Sequence, residues 1–320
     1  MPSAMEAHPQ VAGSVILVKP VGFGFSLETA ASNGFQRNLP GQDLRAQAMR
    51  EFDGLVRALT ERGIGVTVLD PVDPQAPDAV FPNNWFSTDA QGRIVLYPME
   101  ARSRRSERDP NLGGLLGARG FTVVETVALN HWEQQGKALE GTGSLVLDRT
   151  ARVAYAARSS RTDEAVLQAW CELTGFSPCT FTATMDGRAD GQPLYHTNVL
   201  MTVGERFAMA CMASVPDLHE RHLLGSEIAK ARKELVQISL EQMHAFAGNA
   251  LQLRSAQGSF IFLSEQAFRS LQPDQVRQLR KHGELVPVAV PTIETVGGGS
   301  IRCMLAENFL PLRPQSCPPH

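Results

Sequence analysis

The sequence has few cysteines, and no pattern would make them a structural framework. The five cysteines are an odd number and widely spaced, and none forms a CxxC pair or joins a Cys/His cluster at zinc spacing. This argues against a disulfide-stapled secreted scaffold and against a zinc module. We therefore expect a reducing, cytoplasmic setting and no metal centre.

Long hydrophobic runs and an excess of one charge are also missing. The longest early apolar run, Val11 to Val18, is too short to span a bilayer and lacks signal-peptide features, so it predicts a buried strand. Lys+Arg 30 against Asp+Glu 33 leaves a net charge of −3 with no long run of one sign. A general affinity for nucleic acid or for a membrane surface is therefore not expected, and a small-molecule ligand is.

The chain contains enough apolar residues for one large core. Of its 320 residues 43% are hydrophobic, and no low-complexity linker divides them. We predict a single catalytic domain over residues 1–312, followed by a Pro-rich tail over 313–320 whose composition suits disorder.

One supersecondary unit recurs: two β-rich runs joined by a short turn, then a helical pattern. The predicted fold class is therefore α/β, built from ββαβ-type units. The predicted hairpin strands are 85–88 with 93–97, 144–147 with 152–156, 198–202 with 206–210, and 250–254 with 259–263. A fifth hairpin begins at 300–306 and needs 14–18 as its second strand. Helical patterns cover 42–62, 162–174, 227–236 and 273–281.

One polar residue marks the approach to, or the start of, each hairpin at a nearly constant spacing. These residues are Asn84, Glu140, His196, Asn249 and Cys303, separated by 56, 56, 53 and 54 positions. If the units surround a pseudo-fivefold axis, the five positions meet at its centre. The period thus predicts that a base, an acid and a thiol become neighbours.

Cys303 is the candidate nucleophile. Three glycines from Gly297 onward permit a close ligand approach that a Cβ would block, and the adjacent Arg302 could favour the reactive thiolate. The alternative is a small core residue. The cysteines predicted to lie in the core are Cys171, Cys179 and Cys211.

His196 and Glu140 are candidates for proton transfer and its support. His196 precedes a β-rich run and could shuttle protons for a cysteine, although a lone histidine is more often structural. Glu140 is followed by glycine and enters an apolar strand, so it is either buried with a partner or part of a polar site. We favour the site for both.

Other polar groups could contact a substrate. Asn83 and Asn84 lie between aromatic residues, where the alternative is a plain turn. Arg104, Arg105 and Arg161 could hold a carboxylate in bidentate geometry or belong to a solvated face. The residues alone leave both readings open.

Seven motifs between Val15 and Pro311 are similar to those of one superfamily. They are Phe23-Gly-Phe, Phe81-Pro-Asn-Asn-Trp-Phe, Arg104-Arg-Ser-Glu-Arg, Leu139-Glu-Gly-Thr-Gly-Ser, Tyr195-His-Thr-Asn-Val, Phe246-Ala-Gly-Asn-Ala and Gly297-Gly-Gly-Ser-Ile-Arg-Cys-Met. They resemble the guanidino-group-modifying, or pentein, superfamily of arginine deiminases, dimethylargininases and amidinotransferases, and within it the citrulline-utilization hydrolases. The resemblance implies a five-bladed α/β propeller with the active site on its axis.

The same resemblance implies roles for the candidate residues. Cys303 would be the nucleophile, His196 the general acid/base, and Glu140 the carboxylate that contacts substrate nitrogen and orients His196. Arg161 would hold the substrate's α-carboxylate. A second anchoring arginine would be Arg104 or Arg105.

The sequence departs from the deiminases at one position. Where they present an aspartate to a cationic guanidinium, this chain presents Asn84. An amide suits a neutral ureido group, because it can donate to a carbonyl and accept from an NH₂. We therefore predict cofactor-free hydrolysis of citrulline to ornithine, ammonia and CO₂ through a covalent intermediate on Cys303.

Three alternatives remain. The nearest is an arginine or methylarginine deiminase, which would form citrulline, and the second is an amidinotransferase, in which an amine resolves the intermediate. The most remote is a non-catalytic pentein binding module, since fold does not dictate function. A homodimer is compatible with the frequency of dimers among soluble enzymes.

Overall fold

The computed structural model describes residues 9–40 and 43–313. Within these ranges, fifteen strands form five three-stranded sheets in the orders β15-β1-β2, β3-β4-β5, β6-β7-β8, β9-β10-β11 and β12-β13-β14. The strands are β1 Ser14–Val18, β2 Gly65–Leu69, β3 Phe86–Thr88, β4 Arg93–Leu96, β5 Glu125–Ala128, β6 Val146–Asp148, β7 Val153–Ala157, β8 Ser177–Phe181, β9 Met201–Val203, β10 Phe207–Ala210, β11 Glu234–Gln237, β12 Leu251–Ser255, β13 Gly258–Ser264, β14 Glu284–Val288 and β15 Ala306–Asn308.

All five sheets share one pairing scheme. The middle strand pairs antiparallel with one neighbour and parallel with the other. In the sheet β3-β4-β5, for example, Phe86 pairs with Leu96 and Arg93 pairs with Glu125. The fifth hairpin is completed by the N-terminal strand, since Ser14 of β1 pairs with Asn308 of β15.

Helices supply the crossovers that parallel strands require. Eleven α-helices lie in the described ranges: α1 Leu27–Ala30, α2 Leu44–Thr60, α3 Leu112–Ala118, α4 Gly141–Ser144, α5 Glu164–Thr174, α6 Thr197–Leu200, α7 Leu218–Lys230, α8 Leu240–His244, α9 Glu265–Ser270, α10 Pro273–Arg280 and α11 Ile301–Met304. Short 3₁₀ helices cover Pro82–Asn84, Arg102–Glu107, Asn130–Gln135 and Met212–Ser214, and a π-helical turn covers Ile293–Gly297. None of the helices in this part of the chain has the length and hydropathy needed to cross a membrane.

Capping and amphipathic spacing explain the crossover helix α2. The Asp43 side chain accepts a hydrogen bond from the Ala46 backbone, and Phe52, Leu55 and Leu59 bury one face. The predicted helix over 42–62 is confirmed to within two residues of its ends as far as the structure describes it, since Gln42 lies outside the described residues.

The predicted helix over 227–236 is wrong in its bounds. Asp217 caps α7 ten residues earlier, where its side chain accepts from Glu220 N, and Leu224 and Ile228 form the buried face. Arg232 then adopts a left-handed φ of 56°, which ends the helical path. The remainder of the apolar pattern, from Glu234, belongs to strand β11.

Single helical turns replace the starts of three predicted strands. Helices α4, α6 and α11 take in Ser144, residues 198–200 and residues 301–304 of the strands predicted over 144–147, 198–202 and 300–306, and the first strand of each hairpin begins only after them. An apolar run of this length does not distinguish a buried turn of helix from a strand. Of the predicted tail, Arg313 N donates to Gly120 O, and residues 314–320 lie outside the described residues.

Candidate active site

The short helical turns bring the five periodic residues together. Asn84, His196 and Cys303 line one cavity. Glu140 adjoins this cavity through a hydrogen bond to His196, and Asn249 adjoins it through a hydrogen bond to Cys303. The neighbourhood expected from the period is therefore present.

Two amides hold the sulfur of Cys303. Asn249 Nδ2 donates to Sγ at 3.2 Å and Asn198 Nδ2 at 3.5 Å. Asn249 is itself fixed, because its Nδ2 also donates to Asn198 O and its Oδ1 accepts from the Arg302 backbone. Both amides are buried, so their orientation does not depend on solvent.

The expectation that Arg302 favours the thiolate of Cys303 is not met. Burial raises the pKa of the Cys303 thiol above its ordinary value, and the lowering by Ser300, by the two amides and by Arg302 does not reverse this. The Arg302 guanidinium is committed elsewhere, to Glu307 at 3.0 Å and to Leu305 O. The resting sulfur is therefore a neutral thiol.

His196 and Glu140 form a buried pair. His196 Nε2 and Glu140 Oε2 are 2.8 Å apart, and Glu140 Oε1 accepts from the Glu100 backbone at 3.1 Å. Burial alone would raise the pKa of Glu140, but Arg161, the bond to His196 and Arg104 together hold that pKa well below its usual range. Glu140 is therefore the anion of the pair.

A lowered pKa keeps His196 neutral. Burial is the largest cause that lowers its pKa to about 4, and the charges of Arg161 and Arg104 add to it against the pull of Glu140. Because an ionised Glu140 only accepts, His196 Nε2 carries the ring proton. Nδ1 is then the basic nitrogen, as proton transfer requires.

Arg161 and Arg104 are both buried and both line the cavity. Arg161 lies 3.4 Å from Glu140, donates to Ser32 Oγ and Thr29 O, and stacks over the Tyr195 ring.

The second arginine has a different set of partners. Arg104 makes a bidentate pair with Glu107 and donates to Asn84 Oδ1 at 2.7 Å. Both guanidinium groups are therefore fixed before any ligand arrives.

The structure separates Arg104 from Arg105. Arg105 is half-buried, contacts Glu133 and the backbone oxygen of Met99, and does not line the cavity. Asn83 also lies outside the lining and bonds Thr142 at 3.3 Å, while its Oδ1 accepts from Asn84. Of these sequence candidates, Arg104 and Asn84 are the ones that reach the cavity, while Arg105 and Asn83 support its walls.

Helix α4 requires glycine at position 143, where its backbone approaches the side chains of Asn84 and His196. A Cβ on Gly143 would lie 2.4 Å from Asn84 Nδ2 and 2.8 Å from His196 Nδ1. Side chains do not tolerate such distances, so Gly143 allows both groups to approach the backbone.

An N-terminal segment covers the cavity. Asn33 Nδ2 donates to Gly298 O and Gln36 Nε2 to Gly297 O, while Ser32 accepts from Arg161. With this cover in place the free volume is only about 10 Å³, near that of one water.

Sequence reasoning missed Asp78. It lines the cavity and is buried, with Oδ2 accepting from Thr29 Oγ1 at 3.0 Å and Oδ1 without a hydrogen-bond partner among the described residues. Burial raises its pKa against the charge of Arg104. Its position ahead of the aromatic motif and outside the period left no sequence signal for a role.

The other reactive groups are dispersed. Cys171 and Cys211 are buried and Cys179 half-buried, all free thiols. Over residues 9–40 and 43–313, no three His, Cys, Asp or Glu side chains come together as ligands for a metal ion.

The sequence of this chain matches a family model over residues 19–310, that of N,N dimethylarginine dimethylhydrolase, eukaryotic. No curated protein matches it at a significant level.

Solved structures are similar in fold. ArgZ, an arginine dihydrolase from the ornithine-ammonia cycle in cyanobacteria, aligns with a TM-score of 0.73 at 15% identity, over 94% of this chain and 41% of ArgZ. The chain thus spans about two fifths of that protein, whereas it covers 99% of the separate ArgZ N-terminal domain, with a TM-score of 0.72 and 15% identity.

A dimethylarginine dimethylaminohydrolase, as the adduct with S-methyl-L-thiocitrulline, aligns with a TM-score of 0.65 at 14% identity, over 93% of this chain and all of that one. Together with the family match, these findings identify the chain as a member of the N,N-dimethylarginine dimethylhydrolase family, hydrolases of the pentein superfamily.

Proposed function

We propose that this protein is a cysteine-dependent hydrolase of the ureido C–N bond of citrulline, and belongs to the citrulline-utilization branch. The observation that carries the proposal is the juxtaposition of the amide-held Cys303 thiol with the Glu140–His196 pair and the Asn84 amide around one cavity. A nucleophile, a base and an oriented polar group are the components that acyl-type transfer requires.

The first half-reaction starts from two neutral groups. The Cys303 proton passes to His196 Nδ1 as the sulfur attacks the ureido carbon. The protonated His196, stabilised by Glu140, then donates to the δ-nitrogen, and ornithine departs with breakage of the C–N bond. An S-carbamoyl group remains on Cys303.

The second half-reaction uses water. His196 takes a proton from the water that attacks the carbamoyl carbon, the C–S bond breaks, and the proton returns to the sulfur. Carbamate is released and decomposes to CO₂ and ammonia. Asn249 and Asn198 stabilise negative charge on the sulfur in both halves, since hydrogen bonds to a charged group are stronger than those to a neutral one.

The cavity also offers groups for the amino-acid end. Arg161 suits the α-carboxylate because its guanidinium is buried and fixed by Ser32 and Thr29. Asp78 suits the α-ammonium, because Oδ1 is a buried acceptor without a partner in the described chain. A cation there would favour the carboxylate form.

Asn84 supports a neutral head group over a cationic one. Its Oδ1 accepts from Arg104 and one hydrogen of Nδ2 goes to Asn83 Oδ1, so the group it can still offer is the second hydrogen of Nδ2, a donor suited to the ureido oxygen. A guanidinium has no acceptor there and would face the nearby charge of Arg104.

The second candidate is arginine dihydrolysis. The solved structures of similar fold include an arginine dihydrolase, and Glu140 is an anion against which a guanidinium could rest. Such an enzyme would use two water molecules to convert arginine to ornithine, CO₂ and two ammonia molecules.

Product analysis distinguishes these activities. The protein is incubated separately with citrulline and with arginine, and ornithine, citrulline and ammonia are measured by mass spectrometry. We expect ornithine and ammonia from citrulline, and loss of both with Cys303→Ala. The matched control is Cys211→Ala, a buried cysteine outside the cavity, which should remain active.

Asn84→Asp tests the head-group argument. We expect it to lower kcat/KM for citrulline by at least about tenfold, because a carboxylate cannot donate to the ureido oxygen. Faster turnover of arginine than of citrulline by the unaltered enzyme would instead favour the dihydrolase. Full activity of Cys303→Ala would contradict both.

We further propose that the five sheets are blades of a closed pseudo-fivefold propeller. Contacts join β15 with β3, β6 with β9, and β9 with β12, while α4 touches β3 and residue 12 bridges to Leu253. These contacts link successive sheets into a ring.

A further inference from the structure

A second cavity lies away from the candidate active site. Its volume is about 460 Å³, within the range of ligand pockets, and it lies between the sheets β3-β4-β5 and β6-β7-β8. The hairpin turns after β3 and β6 line it, at the opposite ends of these strands from Asn84 and Glu140.

Three arginines line this second cavity: Arg93, Arg149 and Arg152. Arg93 is neutralised by Glu125 at 2.6 Å and Asp89 at 3.7 Å. The other two arginines have weaker compensation.

Among the described residues, the carboxylate that pairs with the Arg149 guanidinium is shared with another arginine. Its partner Glu307, at 3.5 Å, also takes Arg302 at 3.0 Å, so one negative charge serves two guanidinium groups. Arg152 donates to the backbone oxygen of Thr174, and no carboxylate in the described part of the chain forms an ion pair with it. In the described part of the chain, the second cavity therefore holds two guanidinium groups of which neither has a carboxylate partner of its own.

Aromatic rings pack against both guanidinium groups. Arg149 lies 4.0 Å from the centre of the Phe309 ring and Arg152 4.3 Å from that of Phe176. A ring face restrains the guanidinium group and takes up none of its N–H groups, so those that do not already contact Glu307 or Thr174 can bond an anion.

The backbone of Arg152 is in a conformation that favours glycine. Its φ is 59°, in the left-handed region that is unfavourable for a residue with a Cβ. Burial also lowers its pKa, opposed by Asp89 and reinforced by Arg149 and Arg93. A long cation at a strained turn is a feature that ligand binding would explain.

The remaining wall is apolar on one side and acidic at its edges. Val95, Leu147 and Trp170 supply apolar surface. Asp89 is occupied by backbone donors of its own turn, and Glu172 is exposed and bonds Gln168.

We propose that this second cavity binds a small organic anion, a carboxylate or phosphate monoester on an apolar body, through Arg149 and Arg152. The anionic group would accept hydrogen bonds from the two guanidinium groups. The apolar body would pack against Val95, Leu147 and Trp170. The site is independent of catalysis at Cys303.

Binding is tested with phenyl phosphate, benzoate and inorganic phosphate on the full chain by calorimetry at low salt. We expect saturable binding of phenyl phosphate or benzoate with Kd below about 1 mM, since two charged hydrogen-bonding groups contribute. Inorganic phosphate should bind at least about tenfold more weakly, because it lacks the apolar body. Hydrogen exchange should slow at 148–152 and 172–176.

Arg152→Gly is the main variant, because glycine adopts the left-handed turn without strain and the fold is retained. It should weaken binding by about tenfold or more, as should Arg149→Gln. The control Arg188→Gln removes one exposed charge outside the second cavity and should leave Kd unchanged.

Three results would overturn the proposal. They are no saturable binding of the two organic probes at millimolar concentration, unchanged binding by Arg152→Gly, and protection confined to 297–303 in the candidate active site. Turnover of citrulline bears on none of these readouts.

Discussion

Cys303 depends on its neighbours for reactivity, since burial by itself raises the pKa of the thiol. The two amides that donate to Sγ come from different parts of the chain, Asn198 and Asn249. Asn249 was recognised in the sequence only as a member of the period. In the structure, its side chain donates a hydrogen bond to the sulfur of Cys303.

Removal of the Asn249 amide should make the thiol less acidic. We expect Asn249→Ala to raise the pKa of Cys303 by about one unit, because a hydrogen bond to a charged group contributes about 1.5–3 kcal/mol. The measurement is the pH profile of iodoacetamide alkylation at Cys303, followed by peptide mass spectrometry.

The matched control is Asn130→Ala, an exposed amide that does not line the cavity. In this variant the pH profile of alkylation at Cys303 should equal that of the unaltered protein. An unchanged profile in Asn249→Ala would show that the amide positions the sulfur without stabilising its charge.

At the scale of elements, α4 is built to let side chains approach its backbone. We expect Gly143→Ala to displace Asn84 and His196, because the added Cβ would lie 2.4 Å and 2.8 Å from them. If the proposed citrulline hydrolysis is the activity, its turnover should fall by about 100-fold, as for other misplacements of about 1 Å.

Gly54→Ala in α2 is the comparison for this change. A Cβ there meets no atom within 4 Å, so the alanine should stabilise the helix by about 1 kcal/mol and leave turnover unchanged. Equal loss of activity in both variants would contradict the steric account of Gly143.

The covering segment is the second element with a testable role. Asn33 and Gln36 bond the carbonyls of Gly298 and Gly297, and the closed cavity has no room for an amino acid. We expect Asn33→Ala with Gln36→Ala to speed alkylation of Cys303 several-fold, since opening becomes easier.

Alkylation of the half-buried Cys179 is the internal reference and should not change. A rate at Cys303 that stays equal to that of the unaltered protein would mean that access does not pass through this segment.

For the whole molecule, the buried His196 links stability to pH. Its folded pKa of about 4 lies below the ordinary 6.5, so the unfolded chain binds the proton more readily. This contribution to the free energy of unfolding is complete above pH 6.5 and is lost as pH falls toward 4. Relative to His196→Asn, the protein should lose up to about 3 kcal/mol over that window.

Glu294 changes the free energy of unfolding with pH in the opposite direction to His196. Burial raises its pKa from 4.5 to about 7, against bonds from Ser264 and Ser300, so its contribution is lost as pH rises from 4.5 through 7. Glu294→Gln should remove that loss. Urea unfolding of the three proteins between pH 4 and 8 gives both differences, and slopes that the substitutions leave unchanged would contradict these assignments.

Much of the architecture was predictable from local patterns. The hairpins, the amphipathic crossovers such as α2, and the pairing of β1 with β15 follow from the period of apolar residues and from caps such as Asp43. The short turns α4, α6 and α11 were not predictable, because four buried residues at the edge of an apolar run fit a strand as well as a turn of helix.

The residues of the candidate active site also fall into those that the sequence predicted and those that it did not. Cys303, His196 and Glu140 were predicted from motif and spacing, which are local properties of the chain, and they do converge. Their catalytic roles stay predictions.

Only the tertiary structure separated Arg104 from Arg105 and brought Asp78 into the cavity, because neighbouring residues in a loop have the same pattern until packing orients them. The protonation states were likewise decided by the fold, since the sequence determines which groups can titrate, whereas burial and partners determine at what pH they do.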